Sequence, residues 1–293
     1  LDHSIRSLLS EAAERLACVP DGSPRLEAEL LLAEASGLAR TRLVAWPDEL
    51  AEPDAANAFW VLVNRRRSGE PVAYLLGRQE FWSLELRVTP DTLIPRPETE
   101  LLVEVALDRL PATAPLRLLD AGTGSGAIAA ALARERSSWL VVALERSDAA
   151  AQVARGNLQR LTVGNTSVVR GDWLAPVGPR SLDAVISNPP YVRESDPHLT
   201  RGDLRFEPRC ALVGGEDGLG AIRRLAAEAA FCLRPDGFLA FEHGNDQGPA
   251  VRRILAEGGY AHIETCRDLA GHERVTSARL PWRQGTRACT LSP

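Results

Sequence analysis

Asn188-Pro189-Pro190-Tyr191 follows the apolar run Ala184-Val185-Ile186 and is the segment of this chain best equipped for chemistry. Consecutive prolines carry no backbone N–H and disfavour helix, so the backbone stays extended and its carbonyls remain available as acceptors. The asparagine adds a side-chain amide and the tyrosine an aromatic face. Two acceptors can take both hydrogens of a planar –NH2 group while the ring covers its plane. That arrangement suits methyl transfer to an amide or exocyclic amine nitrogen.

A second segment, Asp120-Ala121-Gly122-Thr123-Gly124-Ser125-Gly126, joins an apolar run to a helical stretch. Glycines let the backbone turn tightly and approach a ligand, and ligands of open α/β sheets sit at the carboxyl ends of strands. Glu145 follows the next apolar run, where an acid can accept hydrogen bonds from ribose hydroxyls. Asp172 and Trp173 follow the third, where an acid can receive an adenine amino group and an indole can cover the base. Alone, the loop is ambiguous. Gly122-x-Gly124-x-x-Ala127 also satisfies the loose dinucleotide fingerprint, with Glu145 near the expected distance. Singly, the glycines favour a ligand loop over a bare tight turn, Glu145 suits a strand-end charge as well as a ligand, and Trp173 reads as core packing. Asn188-Pro189-Pro190-Tyr191 after the fourth run tips the balance from nicotinamide to S-adenosylmethionine. No Gly-Lys-Ser/Thr follows the glycines, which excludes a Walker-type phosphate loop.

The elements that must position these residues are legible in the periodicity. Apolar runs at 116–119, 140–144, 167–169, 184–186 and 238–241 alternate with helical stretches at 127–136, 148–161 and 219–233. This predicts a mostly parallel sheet covered by helices. Residues 262–266 and a stretch near Ala278 are candidates for closing strands. Residues 1–75 read as helices, with Ser23-Pro24 as a helix start. Leu26, Leu30 and Leu31 then give an apolar face, and a later helix ends at Arg65-Arg66-Arg67. Residues 76–100 read as a β-hairpin and linker, with Trp82, Leu84, Leu86 and Val88 alternating with polar positions. Pro97 fits the first turn of the helix that follows, and 101–293 forms the sheet-containing domain.

Composition limits the alternatives. With 293 residues, 45% hydrophobic and 25% charged, the chain is an ordinary globular protein. A net charge of −5 argues against general attraction to nucleic acid. Cys18, Cys210, Cys232, Cys266 and Cys289 are scattered, and the histidines, His3, His198, His243, His262 and His272, lack ligand spacing, so no metal site is expected. Neither a signal peptide nor an apolar membrane span is visible, and a cytoplasmic location is expected. The chain has no Met and no Lys. A GC-rich gene accounts for much of the Arg, Ala, Gly and Pro usage, and deliberate recoding of Met to Leu and Lys to Arg also fits.

With these segments together, the chain resembles the release factor glutamine methyltransferases over nearly its whole length. The resemblance extends to Glu80-Phe81-Trp82-Ser83-Leu84, Leu93-Ile94-Pro95-Arg96-Pro97-Glu98-Thr99-Glu100, Gly171-Asp172-Trp173, Asp196-Pro197-His198-Leu199, Arg205-Phe206-Glu207-Pro208, Glu242-His243-Gly244 and His272-Glu273-Arg274-Val275-Thr276. It implies a class I S-adenosylmethionine-dependent methyltransferase fold, Rossmann-like with a mostly parallel seven-stranded sheet, preceded by a small helical domain that recognises the substrate. The substrate it implies is the glutamine of the Gly-Gly-Gln motif in class 1 peptide release factors, methylated on its side-chain nitrogen.

By matching position, Gly122 to Gly126, with Thr123 and Ser125 among them, would cradle the methionine part of the cofactor. Glu145 would hold the ribose and Trp173 would contact the adenine region. Asn188 would touch cofactor and substrate, and Asn188 to Tyr191 would receive the glutamine. The family usually carries Asp where Glu145 stands, which implies a retuned cofactor affinity. Residues 268–271 also differ from some relatives. Glu242-His243 reads as packing. The competing functions are an adenine or guanine exocyclic-amine methyltransferase, a non-catalytic cofactor-binding protein docking on translation factors, and a nicotinamide-dependent oxidoreductase.

Overall fold

The computed structural model describes residues 4–20 and 22–282; His3 and Cys289 lie outside the described residues. The chain divides into two compact units. One comprises residues 1–79, 87–94 and 196–209, and the other residues 80–86, 95–195 and 210–293.

The first unit is built on five helices, α1 (Ile5–Leu16), α2 (Pro24–Ser36), α3 (Arg40–Ala45), α4 (Pro53–Arg67) and α5 (Val72–Leu76). Ser4 caps α1 by accepting the Ser7 N–H, and α2 and α4 start on prolines whose missing N–H costs nothing there. Gly37 ends α2 in a left-handed conformation. Leu8, Leu9, Leu31, Leu32, Leu43, Phe59 and Val63 form the buried core of this bundle. The α2 face differs from the sequence expectation. Leu26 is exposed, and Ala28, Leu31 and Leu32 point inward. Arg66 is buried, not part of a solvated helix end. Its guanidinium donates twice to Glu27 at 3.0 Å and once to Asp203 at 2.8 Å. Tyr74 donates its hydroxyl to the Thr92 carbonyl, and the Ile94 N–H donates to Glu207. The three stretches of chain are therefore tied by buried polar bonds, each costly to leave unmade.

A two-stranded sheet pairs β1 (Arg78–Phe81) with β2 (Leu84–Arg87). Trp82 lies in the turn between them, not on the strand, and Trp82 and Ser83 both have φ of 54°. Phe81, Leu84 and Leu86 are buried with the core of the second unit.

The second unit carries α6 (Glu100–Arg109), β3 (Arg117–Ala121), α7 (Ala127–Glu135), β4 (Leu140–Glu145), α8 (Asp148–Arg160), β5 (Thr166–Arg170) and β6 (Leu182–Ser187). It continues with α9 (Arg209–Leu212), α10 (Gly220–Cys232), β7 (Leu233–Glu242), α11 (Gly248–Glu257), β8 (Ala261–Arg267) and β9 (Glu273–Arg279). The sheet order is β5-β4-β3-β6-β7-β9-β8, with β9 antiparallel to both neighbours and the other pairs parallel. Successive residues of the central strands feed opposite cores. Leu118, Ala184, Ile186 and Ala240 enter one cluster, and Leu119, Val185, Leu239 and Phe241 the other. Such strands are apolar on both faces, which is why they read as continuous runs. From β3 the order steps outward to β4 and β5, then returns to β6 on the other side. The switch point lies between β3 and β6, where α/β folds open a crevice for ligands.

Candidate active site

Two loops leave the carboxyl ends of β3 and β6 at this switch point, and they carry the two segments singled out from the sequence. After β3, Gly122, Gly124 and Gly126 have φ of 77°, 56° and 87°, a region unfavourable for other residues. The Gly122 and Thr123 N–H groups donate to the Leu144 carbonyl. The Gly124 N–H donates to Glu145 at 3.0 Å, and the other Glu145 oxygen accepts from the Ser147 N–H at 2.8 Å. Asn157, fully buried on α8, donates to the Ser125 carbonyl. A side chain at Gly122 would come within 3.3 Å of the Trp173 ring. Trp173 thus covers one flank of the loop. The carboxylate of Asp172 is engaged by Arg224 at 2.8 Å.

Beneath the loop, Asp120 accepts hydrogen bonds on Oδ2 from the Thr123 hydroxyl and the Ala129 N–H. Its Oδ1 has no partner, and the carboxyl is 1% exposed. Burial pushes its pKa up to about 7, against the pull of the two hydrogen bonds and with added repulsion from Glu145.

At the end of β6, Asn188 and Tyr191 are partly exposed and Pro189 is buried. Asn188 Nδ2 donates to Thr99 Oγ1 at 3.1 Å. The Tyr191 hydroxyl donates to Glu242 Oε1 at 3.1 Å. Burial pushes the Tyr191 phenol up, and the nearby Glu242 charge adds to this, so the group is a neutral donor. Glu242 is 1% exposed and its Oε2 has no hydrogen-bond partner. Burial raises its pKa, while hydrogen bonds from the Thr99 and Tyr191 hydroxyls and the charge of Arg274 act against that rise. His243 beside it is buried between the Gly244 carbonyl and the Thr276 hydroxyl.

The segment is also held from behind. Gln247 donates to the Tyr191 carbonyl at 3.0 Å, and Gly214 donates to the Val192 carbonyl. A methyl group on Gly214 would collide with the Pro190 carbonyl oxygen, and one on Gly218 with that of Tyr191. Thr99, Gln247, Gly214 and Gly218 were not assigned roles from the sequence, and Glu242 was read as packing. Leu212-Val213-Gly214-Gly215 and Gly218-Leu219-Gly220 did carry a signal, a glycine cluster without low complexity around it.

The residues around the glycine loop fit a cationic ligand better than a pyrophosphate. The Gly122 and Thr123 N–H groups are spent on Leu144 and that of Gly124 on Glu145. Glu145 ends β4 and Asp172 follows β5, and each brings a carboxyl group to this edge of the sheet. S-adenosylmethionine bears a sulfonium and an ammonium, and this donor set suits it. Among the described residues no cluster of His, Cys, Asp or Glu is arranged to hold a metal, and no helix is long and apolar enough to cross a membrane.

Comparison with known proteins agrees with this geometry. Residues 7–77 match the PrmC N-terminal domain and residues 98–202 the methyltransferase small domain. A methyltransferase structure from Pyrococcus furiosus superposes with a TM-score of 0.53 at 20% identity, covering 75% of this chain and 98% of that one. The fold and the two loops define a methyltransferase of the Rossmann-like, seven-stranded class. The release factor glutamine methyltransferase of Pseudomonas aeruginosa is 51% identical over 88% of this chain and 94% of its own. That of Vibrio cholerae is 47% identical over 93% and 96%, and that of Escherichia coli 45% over 88% and 92%. This chain belongs to the release factor glutamine methyltransferase family.

Proposed function

We propose that this enzyme methylates the side-chain amide nitrogen of the glutamine in the Gly-Gly-Gln motif of class 1 peptide release factors, with S-adenosylmethionine as donor. The observation that carries the reading is a pair of acceptors, at the end of β6, that take no hydrogen from the described residues. Asn188 spends its –NH2 on Thr99, and no described donor reaches its Oδ1 or the Pro189 carbonyl. Membership of the family supports the same substrate.

In this reading Gly122, Thr123, Gly124, Ser125 and Gly126 line the methionine part of the donor. Glu145 meets the ribose, and Asp172 and Trp173 meet the adenine. When bound, S-adenosylmethionine supplies a methyl group already activated by a positive sulfur. An amide nitrogen is a poor nucleophile because its lone pair is delocalised into the carbonyl. Asn188 Oδ1 and the Pro189 carbonyl accept its two hydrogens, fix its direction and enrich its electron density. Pro190 keeps the backbone extended, and the Tyr191 ring lies against the amide plane. Alignment and fixed dipoles supply the catalysis. The alkylated nitrogen is acidic and loses its proton to water without a dedicated base. Tyr191, held as a neutral phenol, is unsuited to that role.

The helical unit docks the body of the release factor, and the enzyme works in the cytoplasm, where that partner acts. The test is mass spectrometry of a whole release factor and of a Gly-Gly-Gln peptide, each incubated with enzyme and S-adenosylmethionine. A single methyl on the glutamine of the whole factor, with far weaker labelling of the peptide, is the expected result. Label appearing on oligonucleotide instead would replace this reading with amine methylation of a base.

A further inference from the structure

We propose that Gln247 is a positioning residue for the reaction, holding Tyr191 where its ring meets the substrate amide. The inference rests on the reading above and concerns a residue that has no part in it so far. A side-chain amide has a donating end and an accepting end of nearly equal shape, so one ambiguous neighbour would leave its direction open. Gln247 has two neighbours, and each is a backbone group of a single polarity. Its Oε1 accepts from the Gly244 N–H at 2.9 Å, and its Nε2 donates to the Tyr191 carbonyl at 3.0 Å. Neither partner can exchange roles, so the amide points one way.

The backbone of Gln247 is fixed as well. Its N–H donates to the Gly244 carbonyl, and its carbonyl accepts the Val251 N–H in the first turn of α11. The side chain is shut from water, at 4% exposure, so no solvent donor replaces it if it is lost. Gly218 closes the remaining side. Its φ is 76°, and a methyl group there would collide with both Gln247 Nε2 and the Tyr191 carbonyl oxygen. Tyr191 is thereby tied at both extremities to one short stretch of chain at the end of β7. The hydroxyl donates to Glu242 and the carbonyl accepts from Gln247. A ring held by its hydroxyl alone could swing with its backbone; the second anchor removes that freedom. A ring covers an amide plane in one orientation only, so alignment needs both anchors.

The experiment measures kcat and KM for a whole release factor, with cofactor affinity by calorimetry, in Gln247→Met, Gln247→Asn, Val251→Ala and Asn188→Ala. Gln247→Met keeps the length and loses the donor. Gln247→Asn keeps the amide but is too short to serve both partners. Each should lower kcat about tenfold, the worth of one buried hydrogen bond, with KM and cofactor affinity little changed. Val251→Ala loosens the same helix within a core cluster that does not include Tyr191, so it should lower the melting temperature and spare kcat. Fluorine NMR of enzyme labelled with 3-fluorotyrosine reports on Tyr74, Tyr191 and Tyr260, the three tyrosines of the chain. The Tyr191 signal, assigned by its loss in Tyr191→Phe, should shift or broaden in both Gln247 variants and hold in Val251→Ala. Parent-like kcat in the Gln247 variants beside a crippled Asn188→Ala would overturn the inference and leave the proposed chemistry standing. An equal loss of kcat in Val251→Ala would also overturn it, by tracing the effect to packing, and so would an unmoved Tyr191 signal beside a lowered kcat. A parent-like Asn188→Ala would remove the chemistry itself, and the inference with it.

Discussion

The loops after β3 and β6 both rest on a buried carboxyl with one unpartnered oxygen, yet they use it in opposite ways. Asp120 is held from within its own loop, by Thr123 and Ala129 a few residues on. Glu242 is approached by side chains from two other parts of the chain, Thr99 and Tyr191. The first loop gains its shape from glycines in left-handed conformations and spends three N–H groups on Leu144 and Glu145 of β4. The second gains its shape from prolines and keeps acceptors open. Under the proposed function, the first loop would receive the cofactor and the second the glutamine amide.

Removing the dipole should separate the two loops most sharply. Asn188→Ala is expected to lower kcat on the order of 10²-fold, the scale of losing a transition-state acceptor, with cofactor affinity changing far less. Rate assays beside calorimetry check this; an equal loss in both would mean that the loops do not divide the work.

Asp120 should show a smaller effect, visible in stability. Its folded pKa of about 7 lies above the ordinary aspartate value of 3.8. Its stabilising contribution is therefore complete below the unfolded value and lost as pH rises towards 7. Urea unfolding of the unliganded enzyme should show the parent losing about 2 kcal/mol relative to Asp120→Asn between about pH 5 and 7. Parallel curves would show that the acid under the glycine loop carries no such burden.

Glu145→Asp should matter least. Shortening the side chain slackens its bonds to Gly124 and Ser147 but leaves a carboxylate at the strand end. Cofactor affinity should shift by about threefold, the worth of part of a hydrogen bond, with kcat unchanged. A change in kcat, measured at saturating cofactor, would show that the first loop also aligns the reaction.

The comparison also explains what could be read from the residues alone. The strands were legible because central parallel strands are apolar on both faces. The loops were legible because glycine and proline state their backbone preferences locally. The stretches near His262 and Ala278 were candidates for closing strands, and they form β8 and β9. Thr99 and Gln247 were not assigned roles and Glu242 was read as packing, since Thr99, Glu242 and Gln247 reach Asn188 or Tyr191 across separations of 89, 51 and 56 residues. Nothing in a short window announces such a bond. Trp82 was read as a strand residue because its apolar spacing fits; the turn there uses two residues with positive φ and no glycine. Glu242-His243 reads as packing in one dimension, yet its acid lies against the reaction corner. Leu26 was assigned inward by type, and the bundle uses the neighbouring face instead.

Arg66 has a further consequence, for timing. It is 3% exposed, and its partner Asp203 lies 137 residues downstream. At ordinary synthesis rates that interval lasts roughly 10 s. The stretch that carries Asp203 is therefore made only after α1 to α5 and β1 to β6, so this ion pair closes late.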